Sequence, residues 1–390
     1  MKKYSLFVLF CLPWLLSSSL FAYDESILKA SKLNSLASSQ KIIGKSYSNS
    51  LYSLLAKPAI VYQKDTTNAG DNTVSKDTLS LRLEQDIFKS GGHFYALQKA
   101  SLQEKLDLSK LAQQKRSLVF GAYQIIVGLK KLDLSLEKQK LLLENKKINV
   151  KTLQDKYNQG LVGSLVLESA LIERNTLENA LFSLQTTKDD LLFSLKKLSD
   201  KDYSKIALWD LKPVEQATFL ASNYAIQIAK LDYDYKNSFA KSTTTGFLPK
   251  VTAYYNYNSD LTNEQTSDSY GVRATFVLNT NALPAIQIAK IASVQTLDAL
   301  QDTKADEANF YTQVQSDLRN TQERIANMQK NISFYDTLVK STTEQYKQKL
   351  RTKNDVTVIQ NTKKSAQKDL EVFKLDKHLK LAKLYEKASL

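Results

Sequence analysis

Bond-making chemistry needs donors that converge, and few residues of this sequence could do so. His93 and His378 are the only histidines, and neither has a second donor at ligand spacing. A metal site needs several converging donors, so both read as structural or solvent-exposed and no metal is expected. Cys11 is the only cysteine and lies in the apolar N-terminal stretch, so disulfides and thiolate metal sites are excluded from the rest of the chain. No nucleophile motif, phosphate loop or dinucleotide fingerprint occurs, so neither an enzyme nor a cofactor is expected. The net charge of +14 could suggest nucleic acid. The lysines and arginines are instead spread along the chain and mixed with Asp and Glu, the pattern of solvated helix faces, and no nucleic-acid partner is expected.

The chain opens like an export signal over residues 1–22. Lys2 and Lys3 precede an apolar run from Leu6 to Leu16, then three serines, then Ala22 at the cut. Leu20 is larger than cleavage favours at its position, and Phe10 before Cys11 argues against lipid attachment. The apolar run is shorter than the ~20 residues a membrane helix needs, and no other such run exists. Three classes stay open: a soluble periplasmic protein, a secreted protein, or an outer-membrane β-barrel, whose alternating strands escape a search for apolar runs.

The elements that must position any functional residue occur twice. Residue i answers to residue i+189: Ile87, Ala96, Leu97, Gln98 and Ala100 match Phe276, Ala285, Ile286, Gln287 and Ala289, and Tyr157 and Leu161 match Tyr346 and Leu350. Such internal repetition points to a symmetric architecture. The first repeat spans 23–212, with an amphipathic helix within 24–57, strands at about 59–65 and 78–88, and helices at about 94–156 and 164–199. The second spans 213–390, with strands at about 249–258 and 269–278 and helices at about 284–348 and 353–388. Pro213 and Pro284 suit helix starts, while 66–76 and 259–268 read as polar loops. Leu79, Leu81, Leu83 and Ile87 alternate with polar residues, as a half-apolar strand does. A heptad frame runs from Leu118 through Ala122, Ile125, Leu129 and Leu136 to Tyr157, and its register survives the shift of 189 residues. The scarcity of breakers, ten Gly and five Pro, suits helices of this length.

Four strands cannot close a membrane barrel, and open sheet edges are not tolerated in lipid. Other protomers must therefore complete the sheet, and three copies would make a 12-stranded barrel. Tyr254, Tyr255, Tyr257 and Tyr270 suit its interfacial girdle. The helices would project ~95 Å from one end of the strands. The fold class expected is mainly α with a small β part: a two-repeat protomer of long antiparallel coiled-coil helices and four β-strands.

QDIFKSGG before a helix, FLPKV opening a strand, and the two turn segments KYNQGLVGSLVLESA and QYKQKLRTKNDV resemble the TolC family of outer-membrane efflux proteins, over essentially the whole exported chain. The resemblance implies a homotrimer in outer-membrane lipid of a Gram-negative bacterium, with a barrel continuous with a helical periplasmic tunnel. It implies a passive exit duct for efflux or type I secretion, docked to a periplasmic adaptor (membrane fusion) protein and an inner-membrane RND or ABC transporter. The alternative from the residues alone is a periplasmic coiled-coil interaction or adaptor protein.

The resemblance also assigns sites. Tyr346 and Arg351 fall where family residues tie the periplasmic entrance closed, and Asp355 falls on the first of two acidic lining positions. The second acidic position holds Val358, and the first repeat's Asp partner is Val166 here, so Glu168, two residues on, is the candidate replacement. Asp355 equally suits a helix start, and Tyr346 continues the heptad frame. The adaptor-docking tips are Gly160, Leu161, Val162, Gly163 and Ser164 in the first repeat and Leu350, Arg351 and Thr352 in the second, where Lys349 replaces the usual Gly. No residue discriminates among drugs, metal ions and proteins as cargo.

Overall fold

The computed structural model describes residues 25–56, 58–69, 72–276 and 279–389. The expected export segment 1–22 lies outside the described residues, as does Leu278. Among the described residues no helix is long and apolar enough to cross a membrane.

The first repeat comprises α1 (Ala30–Tyr52), β1 (Ala59–Ala69), β2 (Asn72–Phe88), α2 (Gly92–Asn158) and α3 (Ser164–Leu198). The second comprises α4 (Gln216–Ser222), α5 (Tyr224–Gly246), β3 (Lys250–Asp260), β4 (Gln265–Thr275), α6 (Ala282–Lys347) and α7 (Lys353–Lys387). Both bounds of α3 and α7 differ by the repeat shift of 189. The 67 residues of α2 reach ~100 Å at the usual helical rise. Gly91 turns the chain from β2 into α2 at φ 83°, in the left-handed region that glycine enters without steric cost.

The four strands form one antiparallel sheet in the order β1-β2-β3-β4. β2 and β3, one from each repeat, pair through Leu83↔Tyr255 and Arg82↔Asn256, which welds the two halves together. β1 and β2 stay paired to Ala69↔Asn72, so most of the expected loop at 66–76 is strand. Main-chain ladder bonds carry this stretch, and they require no apolar alternation. β4 likewise begins at Gln265 and leaves only a short turn after β3.

The main core sits midway along the helices. Val119, Tyr123, Ile126, Val127 and Leu129 of α2 pack with Leu195, Leu375 and, from the segment before α4, Trp209. Tyr123 stacks on Trp209 with centroids 3.6 Å apart. Its hydroxyl accepts the Trp209 N–H at 2.8 Å and lies 2.5 Å from His378 Nε2. His378 is therefore structural, held by a phenol rather than by solvent. Burial pushes the Tyr123 phenol up to about 12 and holds the His378 imidazole below its ordinary value.

A second core joins Phe219, Val314, Leu384 and Ala388, with Val214 packed against it. The helix expected to start at Pro213 starts at Gln216 instead, because the chain before it is extended and packs Val214 inward. A break at Asn223 separates α4 from α5. Asn223 caps α5 by accepting the Ile226 N–H, bridges to Ala388, and donates to buried Glu307 at 2.9 Å. Lys387 completes the charge pair with Glu307 at 2.6 Å. Below the core, Lys131–Asp376 and Lys138–Asp369 link α2 to α7 at seven-residue spacing, the coiled-coil repeat.

Candidate functional site at the sheet faces and helical tips

The sheet has two unlike faces, set by the alternation of strand side chains. Cross-strand register places Ile60 and Tyr62 of β1, Leu79, Leu81 and Leu83 of β2, and Tyr255, Tyr257, Tyr270 and Val272 on one side. Tyr270 is 80% exposed in the single chain. A bulge makes Ile87 the extra residue, after which Phe88 pairs with Val251.

The opposite side carries Arg82, Glu84, Thr252, Asn256, Ser269 and Arg273. Tyr254 belongs to this polar side, not to the apolar girdle expected of it, because it pairs with Glu84 and Gly271. The hydroxyl end of its ring lies against Gly271, where an added Cβ would stand 2.9 Å from the hydroxyl oxygen and the tyrosine would have to shift. Arg273 stacks over that ring at 4.9 Å and pairs with Glu84 at 3.7 Å. Both outer strands, β1 and β4, present open edges.

At the far end each long hairpin turns in a few residues. α2 ends with the Gly160 N–H on the Tyr157 carbonyl and the Leu161 N–H on the Lys156 carbonyl, both at 2.9 Å. α6 ends the same way, from Lys349 to Tyr346 at 2.9 Å and from Leu350 to Gln345 at 2.8 Å. This double bond pattern closes a helix through one left-handed residue. Gly160 takes that position at φ 73° and Lys349 at φ 61°.

The return helices start differently. Gly163 offers α3 no side-chain cap. Thr352 and Asp355 give α7 a reciprocal capping box: Thr352 Oγ1 accepts the Asp355 N–H at 3.2 Å, and Asp355 Oδ2 accepts the Thr352 N–H at 2.9 Å. The Thr352 N–H, and then its hydroxyl and the charge of Arg351, hold the Asp355 carboxyl below the usual range. Thr352-x-x-Asp355 is a capping signature legible in sequence, so the position expected to line a gate serves first as a helix cap.

The other expected site residues lie around these turns. Tyr346 is exposed at the end of its heptad frame, and its carbonyl serves the turn. Arg351 donates from Nε to Gln345 Oε1 at 3.3 Å. Glu168 is exposed on α3. Among the described residues no hydrogen bond or ion pair joins Tyr346, Arg351 and Glu168 within one chain. Gly160, Leu161, Gly163, Ser164, Leu350, Arg351 and Thr352 are all exposed at the two turns, and Val162 is half-buried. No group of three or more His, Cys, Asp or Glu among the described residues could hold a metal ion.

No family model matches the sequence, and no curated protein does. Solved structures do match in fold. The outer membrane protein VceC of Vibrio cholerae superposes with a TM-score of 0.74 at 14% identity, over 92% of this chain and 95% of that one. The CmeC outer membrane channel of Campylobacter jejuni gives 0.73 at 15% identity, over 93% and 84%. The open-state MtrE outer membrane channel of Neisseria gonorrhoeae gives 0.72 at 11% identity, over 93% and 87%. Over nearly its whole described length, the chain has the fold of an outer-membrane channel.

Proposed function

We propose that the chain is one protomer of a homotrimeric outer-membrane exit duct, serving a tripartite efflux or type I secretion system of a Gram-negative bacterium. The observation that carries this reading is the two-faced, open-edged sheet set on helices of ~100 Å that turn back on themselves. An apolar face suits lipid, a polar face suits a water-filled lumen, and two open edges need copies on either side to close a barrel. The likeness in fold to outer-membrane channels supports it. Such a duct is passive: cargo crosses by diffusion along the lumen, and energy comes from an inner-membrane RND or ABC transporter reached through a periplasmic adaptor bound at the tips.

In this reading the tips also gate the duct. Around a threefold axis, Tyr346, Arg351, Asp355 and Glu168 of neighbouring protomers meet where the hairpins converge, and the contacts that tie them form between chains. Opening separates those contacts and untwists the hairpins. Asp355 then presents a ring of carboxylates, which attracts cations to the entrance.

Detergent-extracted protein from outer-membrane fractions should have about three times the 44.1 kDa chain mass, less the export segment. A soluble monomer or dimer would sink the barrel and favour a periplasmic coiled-coil protein. In planar bilayers, Arg351→Ser should raise the resting conductance several-fold by removing a latch, and an unchanged conductance would remove Arg351 from the gate.

A further inference from the structure

The two tips occupy equivalent places in the fold but differ in charge in a regular way. Lys347, Lys349, Arg351 and Lys353 follow one another at every second position of the second tip. Their equivalents, 189 residues earlier, are Asn158, Gly160, Val162 and Ser164, all neutral. All four cations are exposed. Lys347 pairs with Glu344 at 2.8 Å, and Asp355 is engaged in the α7 cap. Lys349 and Lys353 have no carboxylate partner among the described residues, and Arg351 donates to the neutral amide of Gln345 while its charge also acts on Asp355. Both tips expose the equivalent leucines Leu161 and Leu350, and the first tip adds exposed Leu165 and Val166.

A second observation is independent of the charge count. Lys349 holds the left-handed position that closes α6, at φ 61°, where glycine fits without strain and where the first repeat has glycine. The closing hydrogen bonds are the same in both repeats. The lysine therefore adds nothing to the turn itself, and a side chain kept against local backbone preference points to a role outside the fold.

We infer that the second tip is a cationic docking surface for an acidic segment of a periplasmic helical hairpin, while the first tip takes the apolar flank of the same partner. This rests on the docking reading above and adds to it the partner's charge. A protein partner fits better than lipid or glycan, because a basic patch beside exposed leucines matches the mixed apolar and charged surface of a helix. Charge also supplies polarity: alternating apolar and basic tips around a ring accept a partner in one register, and a cationic segment is repelled at every second tip.

The test uses Gln159 and Gln348, which are equivalent glutamines at the two tips. A photo-crosslinking amino acid is placed at each in turn in the full chain in cells, and the captured segments are sequenced. The expected result is a periplasmic helical hairpin at both positions, with a net-acidic segment at Gln348. Replacing Lys349→Gly, Arg351→Gln and Lys353→Gln together should cut capture from Gln348 by about tenfold, the scale of a few exposed ion pairs. The amount of the variant recovered in outer-membrane fractions should be unchanged, which serves as the control for folding, and capture from Gln159 should fall as well because both tips hold one partner. Should that recovery fall, Lys353→Gln alone, outside the strained turn, decides: a drop in capture at Gln348 supports the inference, and no drop overturns it. A neutral or basic segment at Gln348, capture of lipid or glycan alone, or no effect of neutralisation overturns the charge assignment. Absence of any helical protein at both positions would refute the docking reading itself.

Discussion

The two hairpin tips solve one problem with opposite allocations of favourable geometry. The first tip leaves α2 through an unstrained Gly160 and enters α3 without a side-chain cap. The second leaves α6 through a strained Lys349 and enters α7 through a full capping box. The backbone path is nearly the same, so duplication conserved the turn while its sequence support moved from one end of the loop to the other. A turn needs enough local stability in total, and where that stability resides is free to vary. That freedom lets charge accumulate at one tip only.

The largest effect should come from exchanging the left-handed residues. Gly160→Lys should destabilise the end of α2 by about 1–2 kcal/mol, the cost of that conformation for an L side chain. The Leu161 amide, which bonds to the Lys156 carbonyl, should then exchange with solvent about tenfold faster or more. Lys349→Gly should slow exchange at Leu350 in return. If neither amide changes, the strain assigned to Lys349 is wrong.

Removing the cap should be next in size. Thr352→Ala should cost the start of α7 about 1 kcal/mol, while Gly163→Ser should stabilise the start of α3 by only a few tenths. Local exchange at Asp355 and Val166 reads the two changes, and equal responses at the two tips would erase the asymmetry.

Acid should give the smallest difference, because Asp355 is partly solvated. Its carboxyl titrates lower in the folded chain than the ordinary value of 3.8, since it accepts the Thr352 N–H. The cap's contribution is therefore complete above about pH 4 and is lost as pH falls through the depressed value. The first tip has Val166 at the equivalent position and no acidic residue in the first turn of α3. Exchange at the second tip should accelerate selectively below pH 4, and parallel acceleration at both tips would mean that the cap is not the titrating element.

Much of this fold is legible in the sequence because the helices are long, periodic and duplicated. Heptad positions such as Leu129, Leu136 and Leu143 are buried as their spacing requires. The strand ends are not legible, because Thr66–Ala69 and Asn72–Ser75 pair through the main chain and carry no apolar pattern. Tyr254 shows the cost of reading aromatics by type: parity along β3 already places it with Thr252 and Asn256. His378 has its partner Tyr123 255 residues away, beyond any local signal. Glu307 interrupts the apolar frame visibly, but its partners Asn223 and Lys387 emerge only from the packing. At the tips, the capping motif is readable in Thr352 and Asp355, while the left-handed Lys349 runs against its own propensity and needs coordinates to be seen.

The order of the sheet has one more consequence. The seam between the repeats, β2 against β3, lies inside one polypeptide, whereas β1 and β4 stand at opposite borders with unpaired main chain. Each copy thus arrives with its inner joint made and two borders unsatisfied. In the proposed trimer, a ring missing one member would keep two such borders and remain adhesive, while the finished ring would have none. In the proposed ring, closure would end growth by removing the hydrogen-bonding edges, while the tilt and stagger of the strands set how many copies close.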